Sequence, residues 1–188
     1  IGGAQIDKYG NLNTTALGGY PNCKVRVAGS GGGNDIGSSV GRLLIMMRQE
    51  KRRFVDRVDY LTTPGFLSGG DSRQKAGLRG SGPSAVITDM GVFRFDPKTG
   101  EMYLAQCHPG LEPETIKYNV SFELNISPDV GVTEAPTQEQ VEIMRSLDPF
   151  GLYLGTGRQV MADPEKGFDF YMEILDKSYE TMETLFSK

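Results

Sequence analysis

The sequence predicts an α/β fold, and three observations support this prediction. Apolar and charged residues alternate over Lys24–Val27, which is typical of a half-buried strand. The residues Thr137–Gln140 have the capping-box pattern that begins a helix, with a threonine at its first position and a glutamine at its last. Apolar side chains recur at helical spacing from Phe168 to Leu185 and predict a second, amphipathic helix. We therefore expect one α/β unit followed by a separate C-terminal tail.

Glycine and proline divide the first half of the chain into short elements. A strand over Arg42–Met47 is expected to be buried on both faces, because its apolar residues form a continuous run. Phe54–Leu61 alternates apolar and charged residues and is predicted to form another strand. The other elements predicted in this half are strands at Ile1–Ile6, Leu12–Thr15 and Lys24–Val27 and a short helix at Ile36–Val40.

The second half begins with a predicted surface loop. Ser68–Pro83 contains five glycines and several charges, so we expect it to be mobile. Three strands should follow, with a hairpin turn at Asp96–Gly100 between the last two. In the tail, Asp163 and Pro164 form a favourable N-cap and first-turn pair for the amphipathic helix, which needs a partner surface for its apolar stripe. The three predicted strands are Ala85–Thr88, Val92–Phe95 and Met102–Gln106.

Composition excludes several classes of function. The chain has 20 basic and 24 acidic side chains and a net charge of -4, with both signs interspersed, so no long-range field attracts nucleic acid. The longest apolar run, Leu43–Met47, is far shorter than the roughly 20 residues that span a bilayer, so no membrane partner is expected. Cys23, Cys107 and the single His108 are too few for a structural zinc site, so no metal is predicted. Two isolated cysteines fit a reducing compartment, and we expect the cytoplasm.

A glycine-rich loop is the strongest candidate for a functional site. Four glycines occupy the five positions from Gly29 to Gly33, between a predicted strand and a predicted helix. Without side chains, the backbone can approach a ligand closely and aim several N–H groups at one point, a nest that binds an anion or a developing oxyanion. A flexible connection without a ligand is equally consistent with the composition. The loop does not have the Walker pattern, because no Gly-Lys-Ser or Gly-Lys-Thr follows it.

Five sequence blocks resemble a known family. In order and spacing they are similar to the B subunit of glutaconate CoA-transferase, a family I CoA-transferase, over residues 1–149. The resemblance implies an open twisted α/β sheet of the CoA-transferase superfold over this domain, a tail at 150–188, and a hetero-oligomer with an A subunit. Because the chain does not begin with methionine, the N-terminal part of the B subunit is expected to be missing. The blocks are IGGAQIDKYGNLNTT (1–15), VRVAGSGGGNDI (25–36), LLIMMRQEKRRFVDRVDYLTTPG (43–65), VITDMGVFRFDPKTGEMYLAQCHPG (86–110) and NVSFEL (119–124).

The resemblance also implies a chemistry. An enzyme glutamate attacks an acyl-CoA thioester, a mixed anhydride and then a glutamyl-CoA thioester form, and CoA passes to a small carboxylic acid, with a dicarboxylate such as glutaconate as acceptor. The backbone N–H of Gly31 is the implied oxyanion donor, whereas the catalytic glutamate lies in an upstream segment and is not in this chain. Coenzyme A acts as substrate, and no other cofactor is expected. The residues implied to bind substrate or CoA are Gly29, Ser30, Gly32, Gly33, Asn34, Gln5 and Asn13.

Alternatives are open for several residues and for the function. Gln5 and Asn13 could equally satisfy the backbone of a turn. The segment Glu50–Arg53 could bind CoA phosphates or close the subunit interface, although a solvated charge cluster is the simpler interpretation. His108 is interpreted as a structural or surface histidine rather than as an acid–base catalyst. The two alternative functions are an acyl-CoA hydrolase of the same fold and a non-catalytic subunit for ligand binding or assembly.

Overall fold

The computed structural model describes residues 1–152 and 160–186. The internal contacts of the chain divide it into two units, Ile1–Glu134 and Ala135–Lys188. The boundary predicted after residue 149 marks where the family resemblance ends. A division by internal contacts does not test that boundary, so it stays a prediction.

Two small antiparallel ribbons begin the first unit. In the first ribbon β1 (Gln5–Ile6) pairs with β2 (Leu12–Asn13), and in the second β3 (Ala16–Leu17) pairs with β4 (Val25–Arg26). The glycine-rich segment follows β4 and leads into helix α1 (Gly33–Ser39). The predicted strands here are confirmed but are shorter than expected, and the predicted short helix is confirmed with an earlier start.

A five-stranded mixed sheet forms the rest of the first unit, with strand order β5-β6-β7-β8-β9. The two outer pairs of strands are parallel, and the two inner pairs are antiparallel. The three strands and the hairpin turn predicted for residues 85–107 are therefore confirmed. The elements are β5 (Leu43–Met46), α2 (Ser72–Lys75), β6 (Pro83–Ile87), β7 (Gly91–Phe95), β8 (Met102–Cys107), α3 (Pro113–Tyr118) and β9 (Asn125–Val132).

The core of this unit joins the first ribbon to the sheet. Ile6 and Leu12 of the ribbon lie in one buried cluster with Ile45, Phe93 and other sheet residues. Burial of a side chain of this size contributes about 1.5–3 kcal/mol, so the ribbon is stabilised by its contact with the sheet rather than by its short ladder of hydrogen bonds.

The predicted strand at Phe54–Leu61 is wrong. Phe54 makes an isolated bridge to Ile6 and packs against Phe93 with ring centroids 5.8 Å apart, but the residues after it turn and bend. Asp59 shows the reason: its backbone N–H donates to the Gln5 side chain and its carboxylate accepts from Gly18, so side chains replace a strand ladder. Alternation of residue types did not distinguish these two arrangements.

Two other strand predictions need correction. β5 is a strand as expected, but within this chain only one of its faces is buried, since Leu44 and Met46 are 39% and 65% exposed. Strand β9 was not predicted, because it contains Pro128 and its residues alternate poorly. A proline is tolerated there because β9 is an edge strand, where one row of N–H groups needs no partner.

The predicted mobile loop at Ser68–Pro83 contains a short helix and a buried side chain. Helix α2 occupies its centre, and Arg73 of this helix is only 4% exposed. The prediction of an irregular surface loop was therefore wrong for this part of the segment. Glycine content indicated turns correctly but gave no sign that one arginine ties the segment to the core.

Asp7 is a buried carboxylate beside the first ribbon and predicts a pH dependence of stability. Burial raises its pKa from an ordinary 3.8 to about 6, although Asn11 and the Tyr9 backbone N–H donate hydrogen bonds to it. Because the folded state binds the proton more tightly, the stabilisation is present below pH 3.8 and is lost as the pH rises through about 6. We expect the free energy of unfolding to fall by about 3 kcal/mol over that interval relative to the Asp7→Asn variant. Urea titrations of both proteins from about pH 3 to about pH 8 measure this difference. Parallel curves would contradict it.

The second unit contains two described helices. The predicted capping box is confirmed at the start of α4 (Gln138–Leu147), where the Thr137 hydroxyl accepts from the Gln140 backbone and the Gln140 side chain accepts from the Thr137 N–H. The predicted tail helix is also present as α5 (Gly167–Phe186), although it begins after a turn in which Asp163 accepts two backbone N–H groups. The side chain of Leu185, part of the predicted stripe, lies outside the described residues. Across the described residues, each helix is too short or too polar to cross a bilayer.

Removal of the α4 cap should destabilise that helix locally. In Thr137→Ala the Gln140 N–H loses its side-chain acceptor, which typically costs about 1 kcal/mol. We expect amide hydrogen exchange in the first turn of α4 to be about fivefold faster in this variant. Ser146→Ala is the matched control, because the Ser146 hydroxyl donates only to a carbonyl of the same helix. Equal exchange rates in the two variants would contradict the role of the cap.

Candidate functional site

The glycine loop, residues 29–33, has the backbone geometry of an anion-binding nest. Gly29 and Gly31 have φ values of 94° and 47°, which side-chain-bearing residues rarely adopt. Gly32 follows with φ -84° and ψ 2°, so a left-handed residue is followed directly by one of the opposite hand. This succession turns consecutive N–H groups toward one side of the backbone. Both the residue types and the backbone conformations therefore indicate a concave surface with several hydrogen-bond donors.

Three consecutive N–H groups of the loop are available to a ligand. Among the described residues, none accepts a hydrogen bond from the backbone N–H of Ser30, Gly31 or Gly32. A Cβ built on Gly29 or Gly31 would meet no atom within 4 Å, so the space in front of the loop is open. The donors are thus exposed to whatever binds there, at the start of a helix whose dipole also favours negative charge.

Both ends of the loop are held by hydrogen bonds. On one side Gly29 and Thr14 exchange two bonds: the Gly29 N–H donates to the Thr14 carbonyl at 2.7 Å, and the Thr14 hydroxyl donates to the Gly29 carbonyl at 2.7 Å. On the other side the Asn34 side chain donates to the Thr62 carbonyl at 3.1 Å. The Thr62 hydroxyl in turn accepts from the Thr14 N–H. Hydrogen bonds therefore hold the loop at both of its ends.

Helix α1 packs closely on the segment that follows Thr62. A Cβ on Gly33 would lie 2.9 Å from the Thr63 hydroxyl, and one on Gly37 would lie 2.4 Å from a Thr63 methyl carbon. Two successive turns of α1 thus require glycine because the helix backbone rests directly on Thr63. This contact holds the start of α1, and with it the end of the glycine loop, against Thr63.

Arg73 clamps the C-terminal end of α1 from behind. Its guanidinium donates five hydrogen bonds, all to backbone carbonyls, and its burial lowers the pKa of the group. We call this arrangement the Arg73 clamp. It joins α1, the turn after Thr63 and the end of the 68–83 segment. The acceptors are the carbonyls of Gly37, Ser38, Pro64, Gly65 and Gly80.

Gln5 and Asn13 lie together beneath the second ribbon. Asn13 is fully buried, and its amide donates to Gln5 and to the Ala16 carbonyl while its oxygen accepts from Thr15 and Ala16. Every polar atom of Asn13 is therefore used within the protein, which fits the turn-satisfying alternative. Gln5 is 8% exposed and donates to Asp59. Contact of either residue with a substrate stays a prediction.

The other polar residues singled out in the sequence occupy structural positions. His108 bridges the Thr88 carbonyl and the Thr133 hydroxyl at 2.9 and 2.8 Å, so its Nε2 carries a proton. Cys23 and Cys107 are free, and burial raises the pKa of the Cys107 thiol, which opposes a nucleophilic role. Within residues 1–152 and 160–186, no group of three or more histidine, cysteine, aspartate or glutamate side chains could hold a metal ion.

Sequence reasoning missed the residues that support the loop. Thr14, Thr62 and Arg73 act through contacts with segments distant in the chain, and the residues around them in the sequence do not indicate these contacts. The Thr-Thr-Pro-Gly run at 62–65 has residue types common in turns, but it does not reveal the helix that rests on it.

Known proteins share this chain's pattern. Residues 1–119 match the family described as coenzyme A transferase. The chain is 45% identical over 151 residues to the B subunit of glutaconate CoA-transferase from Acidaminococcus fermentans, covering 79% of this chain and 56% of that protein. It is 37% identical over 148 residues to the B subunit of 3-oxoadipate CoA-transferase from Pseudomonas knackmussii, covering 79% and 57%. A cholesterol ring-cleaving hydrolase IpdB subunit of Rhodococcus jostii is 29% identical over 155 residues, with 81% and 60% covered.

A solved structure shows the same fold. The crystal structure of glutaconate coenzyme A-transferase from Acidaminococcus fermentans superposes with a TM-score of 0.73 at 44% identity, covering 77% of this chain and 55% of that one. The likeness confirms the mixed α/β fold that the sequence predicted. This chain spans a little over half the length of the curated relatives that it matches.

Proposed function

Because this chain belongs to the coenzyme A transferase family, we propose that it forms the glycine-loop part of the B subunit of a CoA-transferase. The reaction moves CoA from an acyl-CoA to a small carboxylic acid through a glutamyl-CoA thioester. The assignment to the loop depends on one observation. The three consecutive N–H groups of Ser30, Gly31 and Gly32 donate no hydrogen bond to any described residue.

The loop stabilises the oxygen that becomes negative at each step. When the glutamate carboxylate adds to the thioester carbonyl, the C–O double bond opens and its oxygen gains the electron pair; expulsion of CoA thiolate then leaves a mixed anhydride. The thiolate adds to the glutamyl carbonyl, and loss of the donor carboxylate leaves the glutamyl-CoA thioester. The acceptor carboxylate reverses both steps. Fixed N–H donors lower each barrier because they need no reorganisation when charge appears, and we assign the central donor to Gly31.

We place the attacking glutamate on polypeptide outside these 188 residues. Glu50 pairs with Arg52 and Arg53, and this pairing lowers its pKa. Glu101 pairs with Lys8 at 2.7 Å and accepts from the Tyr9 hydroxyl. Neither carboxylate is free to attack a thioester bound at the glycine loop. An A subunit and the remainder of the B subunit are accordingly the proposed partners.

The substrate class follows from the relatives. Glutaconate and 3-oxoadipate are both dicarboxylic acids, so we propose a small dicarboxylate as the CoA acceptor. CoA serves as a substrate, and the proposed mechanism requires no further cofactor. The free thiols of Cys23 and Cys107 support the proposed cytoplasmic location.

Detection of CoA exchange by mass spectrometry tests the proposal. The native assembly, purified with its partner polypeptides, is incubated with acetyl-CoA and a panel of mono- and dicarboxylic acids. We expect a new acyl-CoA in amounts matched by acetate release and without net loss of thioester. Absence of any new acyl-CoA would contradict the transferase function.

A hydrolase is the second candidate, and the similarity to the ring-cleaving hydrolase subunit supports it. The same experiment separates the two functions, because a hydrolase consumes thioester and releases free CoA whether or not a carboxylic acid is present. If no thioester is consumed or exchanged, a ligand-binding or assembly role takes precedence.

A further inference from the structure

A small basic pocket lies beside the first ribbon. It has a volume of about 310 Å³ and is lined by Ala4, Gln5, Leu17, Arg52 and Arg53. Two backbone hydrogen bonds join the segments on either side of it: the Ile6 N–H donates to the Arg53 carbonyl at 2.7 Å and the Val55 N–H donates to the Ile6 carbonyl at 2.9 Å. We call it the Arg52–Arg53 pocket.

The guanidinium groups of this pocket are only partly neutralised. Arg52 and Arg53 share one carboxylate, that of Glu50, so one positive charge is in excess. The Arg53 Nε lies 3.4 Å from Glu50 without hydrogen-bond geometry, and this buried atom has no hydrogen-bond partner among the described residues. Its Nη1 makes only a long contact of 3.5 Å to the Gly3 carbonyl. Because guanidinium keeps its charge throughout the physiological pH range, the pocket is permanently cationic.

The neighbouring charges do not cancel this excess. The Asp59 carboxylate accepts from the Gln5 side chain and from the Gly18 N–H at 3.1 and 2.8 Å, both through Oδ2, and among the described residues it forms no ion pair with Arg52 or Arg53. The Lys51 ammonium lies 5.0 Å from the centre of the Tyr118 ring rather than at the pocket. An incoming anion would therefore meet two planar guanidinium groups, which suit bidentate contacts to a carboxylate.

Size and position restrict the ligand. A volume of about 310 Å³ is at the lower end of the roughly 300–1,000 Å³ of ligand sites, so the pocket admits a short chain rather than a whole CoA molecule. Leu17 and Ala4 provide apolar walls for methylene groups. Thr14, which anchors the glycine loop, precedes Leu17 of the pocket wall by three residues. The loop and the pocket are thus attached to the same short segment of chain.

We propose that the Arg52–Arg53 pocket binds the distal carboxylate of the dicarboxylic acid, the one that does not receive CoA. This inference rests on the proposed function and deepens it, because it assigns the preference for dicarboxylates to named residues. Arg53 and Arg52 contact the carboxylate, and Leu17 contacts the methylene chain.

Calorimetric titration of the native assembly with glutarate and with butyrate tests the pocket without reference to turnover. We expect glutarate to bind the wild-type assembly and to bind the Arg53→Gln variant about 10- to 100-fold more weakly, the effect of losing charge-assisted hydrogen bonds. Arg52→Gln should also weaken binding; this side chain is 77% exposed, so its loss does not threaten folding. Lys51→Gln is the matched control, since it removes the same charge one position away and should change affinity less than threefold. Glutarate affinity that is equal in wild type and both arginine variants overturns the proposal.

The kinetic counterpart separates this inference from the proposed function. With acetyl-CoA as donor, Arg53→Gln should lower kcat/KM for glutarate about 10- to 100-fold and leave that for butyrate within about threefold. Equal losses for both acids, with a raised KM for acetyl-CoA, would show that the pocket holds a CoA phosphate and would overturn the proposal. If the wild-type assembly transfers no CoA but the arginine variants lose glutarate binding, the proposed function fails while the carboxylate site stands.

Discussion

Replacement of Arg73 by methionine is expected to lower the free energy of unfolding by about 4 kcal/mol. The five hydrogen bonds of the Arg73 clamp end on backbone carbonyls, three of them buried and two partly buried, and methionine fills the volume without offering a donor. Each unsatisfied buried acceptor costs about 1–3 kcal/mol, and partial relaxation keeps the total below the sum. A domain of ordinary stability, about 5–15 kcal/mol, would lose a large share of its margin.

Urea unfolding of the assembly and of its variants measures this effect. Lys75→Met is the matched control, because it removes a charge from the same short helix at an exposed ion pair with Asp71 and should change stability by less than about 0.5 kcal/mol. The free energy of unfolding of Arg73→Lys should lie between those of the two methionine variants, since one ammonium cannot reach carbonyls on three segments. Similar midpoints for the methionine variants of Arg73 and Lys75 would contradict the clamp.

Gly31→Val should lower kcat for CoA transfer about 100- to 1,000-fold, the loss that follows removal of one oxyanion donor. A β-branched side chain is strained at a φ of 47°, so the backbone should rotate and its N–H should leave the nest. The side chain would also fill the open space through which a thioester approaches. Activity in this variant should therefore fall far more than stability.

Gly70→Val separates backbone strain from the loss of the donor. Gly70 has a comparable φ of 55°, and a Cβ there also meets no atom within 4 Å. Both variants should lose about 1–2 kcal/mol of stability from left-handed strain, but Gly70→Val should retain activity within about twofold. Equal kcat values for the two variants would show that the Gly31 N–H is not an oxyanion donor.

Local patterns predicted most of the elements of this fold. The capping box at Thr137 and the hairpin at Asp96–Gly100 depend on side chains within a few residues, and both were found where expected. The predictions for β9 and for Phe54–Leu61 were wrong for the same reason. Whether an alternating or proline-containing stretch joins a sheet depends on a neighbouring strand that is distant in the chain. Asp59, held by Gln5 and Gly18, shows how such a partner overrides the local pattern.

Of the candidate site, the glycine loop could be predicted from the sequence, and the residues that support it could not. A run of glycines between a strand and a helix indicates a nest, because the required conformations exclude side chains. The support beneath it left no comparable trace. Thr62 and Arg73 are ordinary residues in the sequence, and their importance comes from carbonyls that other segments present to them.

The Arg73 clamp also limits how a damaged protein could be repaired by genetic suppression. A salt bridge between side chains can be restored by exchanging the two charges, but every acceptor here is a carbonyl that no codon change can alter. Three of the acceptors belong to glycines, Gly37, Gly65 and Gly80, where an added Cβ would lie 2.3–2.4 Å from another atom, so no compensating side chain can enter. A screen for revertants of an Arg73 variant should therefore recover true reversion or general stabilising changes elsewhere, and no second site in the clamp.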